Sequence, residues 1–236
     1  MEPYIGEFIG TALLMLLGSG VVANANLEKS NGKDSGWIVI CSAWAVAVFL
    51  GVYSSTTFGG SGHLNPAVTL SFAAIGKCSS ALIPGYIAAQ MAGAFVGSTL
   101  AWLAYKPHFD ASSDSEIKRA VFSTAPGIRS SLWNLVTEAI GTFVLVFGAL
   151  SITSADNSLG SLDALPVGLL VLGIGLALGG PTGYAINPAR DLGPRIAHAI
   201  LPIQGKGNSD WGYAWIPVMG PIAGGLVAAA CYGMLA

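Results

Sequence analysis

The chain has 236 residues, of which 53% are hydrophobic and 9% charged, with 32 glycines and a formal net charge of −2. A soluble domain carries about 25% charged residues, so this chain cannot cover a water-facing surface, and it lacks the basic surplus that a nucleic-acid partner requires. Cys41, Cys78 and Cys231 sit in or beside apolar runs with neither metal nor disulfide spacing, and read as small packing residues.

A membrane-spanning helix needs about 20 mostly apolar residues. Taken in chain order, the runs 4–24 and 37–55 qualify. The first has no basic leader and outruns a signal-peptide core, so it is expected to stay as a span. Next comes "SGHLNPAVTL" (61–70), opening a stretch (65–76) too short to cross. The run 82–105 spans again, and a polar stretch, 106–131, follows and is expected to be partly structured. Runs 132–153 and 165–180 span. "GYAINPARDLGPR" (183–195) opens a second short stretch, 187–200, and the run 214–235 closes the chain. Short apolar stretches of this kind in a membrane protein suit re-entrant segments.

The chain repeats itself. "EFIGTALLMLLGSG" (7–20) matches "EAIGTFVLVFGALS" (138–151), and each half carries Asn-Pro-Ala after its second span. The expected organisation is one transmembrane domain, 1–236, made of a first repeat (1–110), a linker (111–131) and a second repeat (132–236). Three spans per half is an odd number, so the second repeat must enter the membrane inverted. Inverted repeats build sites at the bilayer midplane from broken helices.

Asn-Pro-Ala then acquires a physical role. Asn is a preferred N-cap and Pro is favoured at the first helical position. Asn65-Pro66-Ala67 and Asn187-Pro188-Ala189 are therefore expected to start two half-helices that meet N-terminus to N-terminus. Each terminus carries roughly half a positive charge, and each Asn is expected to keep its amide N–H free to donate. Such a place suits a lone-pair oxygen and repels a cation.

These paired motifs, with "YIAAQMAGAFVG" in the third span, resemble the major intrinsic protein family, the aquaporins. Within that family the chain is most similar to the glycerol facilitators. The resemblance implies an all-α membrane fold of six spans plus two re-entrant half-helices, and a homotetramer in the cell membrane with one pore per subunit. It further implies a selectivity filter formed by Trp44, Gly175, Tyr184 and Arg190. There Gly175 leaves a gap where water-selective members place His, while Trp44 and Tyr184 give aromatic walls and Arg190 gives a fork of N–H donors. Glycerol and small neutral polyols, with water, are the expected solutes. Tyr184 stands where some glycerol facilitators have Phe. One extra residue between Trp44 and Asn65 is assigned to "TTFGGSG" (56–62), leaving Trp44 in the filter.

Other polar residues carry two readings. Glu7 and Glu138 lie within spans, where ionisable groups are costly. They could couple protons in a secondary transporter, or accept N–H bonds from the re-entrant loop of their own half; their symmetric placement favours the second. Asp191 is expected to pair with local backbone or Arg195, Gln90 to bond a re-entrant loop, and His63 either to line the pore or to brace the loop. "GEFIG" (6–10) and "GAFVG" (93–97) should let helices approach closely. The sequence has no P-loop, dinucleotide fingerprint or plausible triad, so neither an enzyme nor a cofactor, metal or nucleotide is expected. The resemblance implies cytoplasmic termini. The positive-inside rule opposes this, because the inner loops would then carry only Lys77. A water-selective pore and the proton-coupled transporter are the alternative functions.

Overall fold

A computed structural model describes residues 2–153 and 158–236. The long helices are α1 (Glu2–Asn26), α2 (Trp37–Thr57), α4 (Ile83–Ala104), α7 (Ser131–Thr153), α8 (Leu165–Leu178) and α10 (Ile216–Leu235). Each belongs to a helical segment long and apolar enough to cross a membrane. Between them lie two half-length helices, α3 (Pro66–Ala74) and α9 (Pro188–Ile200). The polar stretch after α4 folds into two short helices, α5 (Lys106–Ala111) and α6 (Ser115–Ala120), the latter capped by Asp114, whose carboxylate accepts from Glu116 and Ile117 N–H.

Prolines punctuate these elements. A proline occupies the first turn of α3, α4, α8, α9 and α10. It costs nothing there, because first-turn N–H groups have no intrahelical partner. In a bilayer that also removes one donor that nothing would satisfy.

The two halves pack alike. Helix α1 lies on α4 and α2, and α7 lies on α10 and α8, while α2 against α8 joins the halves. Small residues set these seams. A Cβ built on Gly97 would stand 2.2 Å from Ala12 O, and one on Gly224 1.9 Å from Ala139 O, so the backbones touch. Each half-helix is cradled by the last long helix of the opposite half: α3 packs on α10, and α9 on α4. Neither half can therefore complete its own re-entrant segment. Large apolar side chains such as Ile38, Val46, Leu169 and Val227 stay exposed around the outside, as lipid or a partner subunit requires. Trp133, Trp211 and Trp215, also exposed, cluster near the starts of α7 and α10, where an interfacial aromatic belt belongs.

Candidate functional site

The half-helices begin as their sequence dictates. Asn65 adopts extended backbone and its Oδ1 accepts from Ala67 N–H at 2.9 Å. Asn187 does the same toward Ala189 N–H at 3.0 Å and Arg190 N–H at 3.2 Å. The amide nitrogens are not wholly free, contrary to expectation. Asn65 Nδ2 donates to Ile186 O at 2.8 Å, and Asn187 Nδ2 donates to Leu64 O at 2.8 Å. This reciprocal pair clamps the two N-termini together. It uses one N–H of each amide, and the second N–H remains available to a solute.

The loops leading into both half-helices are strained. Leu64 (φ 53°), Tyr184 (φ 37°) and Ile186 (φ 44°) occupy the left-handed region, which costs a non-glycine residue about 1–3 kcal/mol. The two buried carboxylates hold them there. Glu7 accepts from His63 N–H (3.0 Å) and Leu64 N–H (2.7 Å), and Glu138 from Ala185 N–H (3.0 Å) and Ile186 N–H (2.8 Å). Ser55 Oγ and Gln90 Nε2 complete the donors around Glu7. Gln90 also donates to Thr69 Oγ1, so it braces the half-helix α3 rather than the loop before it. Both carboxylates are 0–1% exposed, and neither lines the cavity described next.

That cavity, of about 140 Å³, runs from Ser61, His63 and Phe72 past Asn65 and Asn187 to Trp44, Tyr184 and Arg190. Its lining is mixed. Apolar side chains (Leu14, Val48, Val52, Val68, Leu145, Ala149, Val167 and Val171) stand with the strained loop residues, Asn65, Asn187 and Arg190. His63 lines the cavity, and its Nδ1 lies 3.1 Å from Thr69 Oγ1 while its ring packs on Phe72 and Tyr86.

Trp44, Tyr184 and Arg190 come together at one end. The Arg190 guanidinium carbon lies 4.3 Å from the Trp44 ring centroid, and Arg190 Nη1 donates to Phe122 O at 3.4 Å. Gly175 behaves differently from expectation. The gap it leaves is filled by protein, since a Cβ there would stand 2.9 Å from Tyr184 Cζ and 3.0 Å from Cys41 Sγ. Its missing side chain thus seats the Tyr184 ring instead of widening the lumen directly. Asp191 pairs with Arg195 (2.7 and 2.9 Å), both fully buried, and its second oxygen accepts from the N–H and hydroxyl of Thr124, each at 2.7 Å.

Several supporting residues escaped sequence reasoning. Phe122 and Thr124, from the polar linker, hold Arg190, Asp191 and Arg195 through backbone carbonyls and a hydroxyl. No spacing or composition signal marks them, because backbone groups do the binding. Gly18 on α1 seats Trp44, since a Cβ there would meet the indole at 2.3 Å. It lies in the repeated segment, but nothing in the repeat shows what it faces.

Among the described residues, six membrane-length helical segments and two half-helices that meet N-terminus to N-terminus beside an internal cavity of mixed apolar and polar lining define a polytopic membrane protein of the channel type. The sequence model of the major intrinsic protein family matches residues 1–232. A probable glycerol uptake facilitator protein of Thermotoga maritima is 53% identical over 235 residues, covering all of both chains. Glycerol uptake facilitator protein 3 of Lactiplantibacillus plantarum is 51% identical, covering 98% of this chain and 95% of that one. The X-ray structure of the aquaglyceroporin from Plasmodium falciparum superposes with a TM-score of 0.88 at 32% identity, covering 98% of this chain and 95% of the other. The chain belongs to the major intrinsic protein family, and its architecture is the aquaporin fold with its inverted repeat.

Proposed function

We propose that the chain is a passive transmembrane channel for glycerol and other small neutral solutes, together with water, that excludes ions and protons. The mixed apolar and polar lining of the cavity carries this reading. A polyol has a hydroxyl edge and a C–H edge. The hydroxyls can accept from Arg190, Asn65 and Asn187, while the carbons lie against Trp44, Tyr184 and the apolar wall. The names of the Thermotoga and Lactiplantibacillus relatives support glycerol as a solute. Trp44, Tyr184 and Arg190 form the filter on this reading, and Gly175 makes room for the Tyr184 ring. Asn65-Pro66-Ala67 and Asn187-Pro188-Ala189 form the central constriction, where the converging helix dipoles and Arg190 oppose cations and protons. Glu7 and Glu138 are structural. Their oxygens are occupied by loop N–H groups and lie outside the cavity, which disfavours proton coupling.

The two repeats correspond to 1–110 and 132–236, with 111–131 as the linker. The protein is read as a homotetramer in the plasma membrane, with the exposed apolar face of α2 (Ile38, Val39, Val46) available for subunit contact. Both termini are read as cytoplasmic. The positive-inside count opposes this orientation, but Arg190 and Arg195 belong to the half-helix α9 and not to a loop, and the family resemblance favours cytoplasmic termini.

Stopped-flow light scattering on proteoliposomes tests the reading. The wild type is expected to pass glycerol and water by a non-saturating, uncoupler-insensitive route. Gly175→His is expected to lose glycerol flux first, because the new side chain drives Tyr184 into the lumen. Fast water flux without glycerol flux in the wild type would sink the proposal.

A further inference from the structure

We propose that Cys41 is a positioning residue whose thiol latches the Tyr184 hydroxyl and holds its ring back from the lumen, so that Cys41 helps set the aperture for glycerol. The inference rests on the channel reading above and assigns specificity to a residue outside the four-membered filter.

The geometry behind Tyr184 is a slot. Two glycines near the end of α8 form its floor, since a Cβ on Gly175 would stand 2.9 Å from Tyr184 Cζ and one on Gly179 2.5 Å from Cδ1. The edge of Trp37 closes one side, with ring centroids 5.7 Å apart and planes at 81°. Trp37 Nε1 donates to Gly175 O at 3.0 Å and ties that wall to the floor. At the end of the slot, the Tyr184 hydroxyl lies 3.7 Å from Cys41 Sγ. Trp37, Cys41 and Trp44 fall at i, i+4 and i+7 on one face of α2, so the same face carries a filter wall and the support for the opposite one.

The energetics make this a weak latch. Cys41 is 1% exposed and Tyr184 6% exposed, so the hydroxyl cannot be left without a partner cheaply. A thiol is a poor acceptor. The hydroxyl's other source of partners is the lumen, because Tyr184 lines the cavity beside Arg190. The backbone cannot follow: Tyr184 is already at φ 37°, and the next two residues are bonded to Glu138. Only the side-chain torsions can respond. If the ring leaves the slot it must therefore rotate toward the lumen, and the Cys41 thiol favours the slot.

The test compares glycerol and water permeability of proteoliposomes carrying wild type, Cys41→Ala, Cys41→Ser, Tyr184→Phe and the double variant Cys41→Ala/Tyr184→Phe, each checked for monodispersity. Losing one weak buried hydrogen bond should lower the glycerol-to-water permeability ratio of Cys41→Ala about fivefold. Serine offers a better acceptor and should restore most of that ratio. In the Tyr184→Phe background no hydroxyl remains to latch, so adding Cys41→Ala should change the ratio less than about 1.5-fold. An unchanged ratio in Cys41→Ala overturns the proposal. So does an equal loss in the Tyr184→Phe background, which would make Cys41 a packing residue only. A wild type that passes no glycerol would instead overturn the channel reading, and this inference with it.

Discussion

Glu7→Gln separates a structural carboxylate from a proton-coupling one. The substitution changes one atom and removes a charge. Glu7 Oε1 accepts from His63 N–H and Ser55 Oγ, and Oε2 from Leu64 N–H and Gln90 Nε2. Whichever position the new NH2 group takes, it faces a backbone N–H that cannot reverse. One buried donor is left unsatisfied at about 1–3 kcal/mol, and the bonds that survive lose their charge assistance, about 1 kcal/mol each. The total is about 3–6 kcal/mol. The strained Leu64 backbone would lose its anchor as well. For a chain of this length that loss lowers the melting temperature on the order of 10 °C. Thermal unfolding of the purified protein in detergent, followed by size-exclusion chromatography, measures it. An unchanged melting temperature would refute the reasoning. A stable Glu7→Gln protein that had lost uncoupler-sensitive solute accumulation would restore the transporter reading.

Other perturbations follow from the same geometry. Gly18→Ala places a Cβ 2.3 Å from the Trp44 indole; glycerol permeability in stopped flow should drop more than water permeability, and wild-type values would show that Trp44 has another seat. Asp191→Ala strands the fully buried Arg195 charge and should destabilise the protein by about 3–5 kcal/mol; a loss below about 1 kcal/mol in thermal unfolding would contradict the pairing. Asn65→Ala removes both the cap of α3 and the bond to Ile186 O, at a cost of about 1–2 kcal/mol for the cap alone. Asp210 responds to pH in the loop between α9 and α10. Partial burial tends to raise its carboxyl, but the hydrogen bond and charge of Arg129 outweigh that and hold it below the usual carboxylate range. Its contribution is therefore complete above the unfolded value of about 4 and fades as pH falls through the lower folded value. Melting curves of wild type and Asp210→Asn should keep a constant gap from pH 7 to 5 and converge below about pH 4.

Much of this protein was legible because the bilayer restricts the choices. Six long apolar runs had to be helices, since no other unclosed structure satisfies its backbone in lipid. Asn-Pro-Ala, twice, carried both the cap and the first-turn proline, and α3 and α9 begin at Pro66 and Pro188. The repeat of Glu7 and Glu138 pointed to paired structural roles because the same residue type recurs where each half needs an acceptor. Arg190 and Asp191 could be singled out because charge is rare in such a chain.

What stayed hidden depended on contacts between distant segments. The Asn amides had to be assigned to Leu64 and Ile186 carbonyls of the opposite loops, which requires both loops in place. Gly175 carries no side chain to read, and its meaning depends on Tyr184 and Cys41, brought to it from α9's entry loop and α2. Phe122 and Thr124 act through backbone atoms and a hydroxyl that any loop could offer. Sequence alone determined the spans and the half-helix starts, because hydropathy and capping are local properties. Only the tertiary structure decided which groups hold Trp44, Tyr184 and Arg190 in position, because those contacts join segments far apart in the chain and leave no periodic trace.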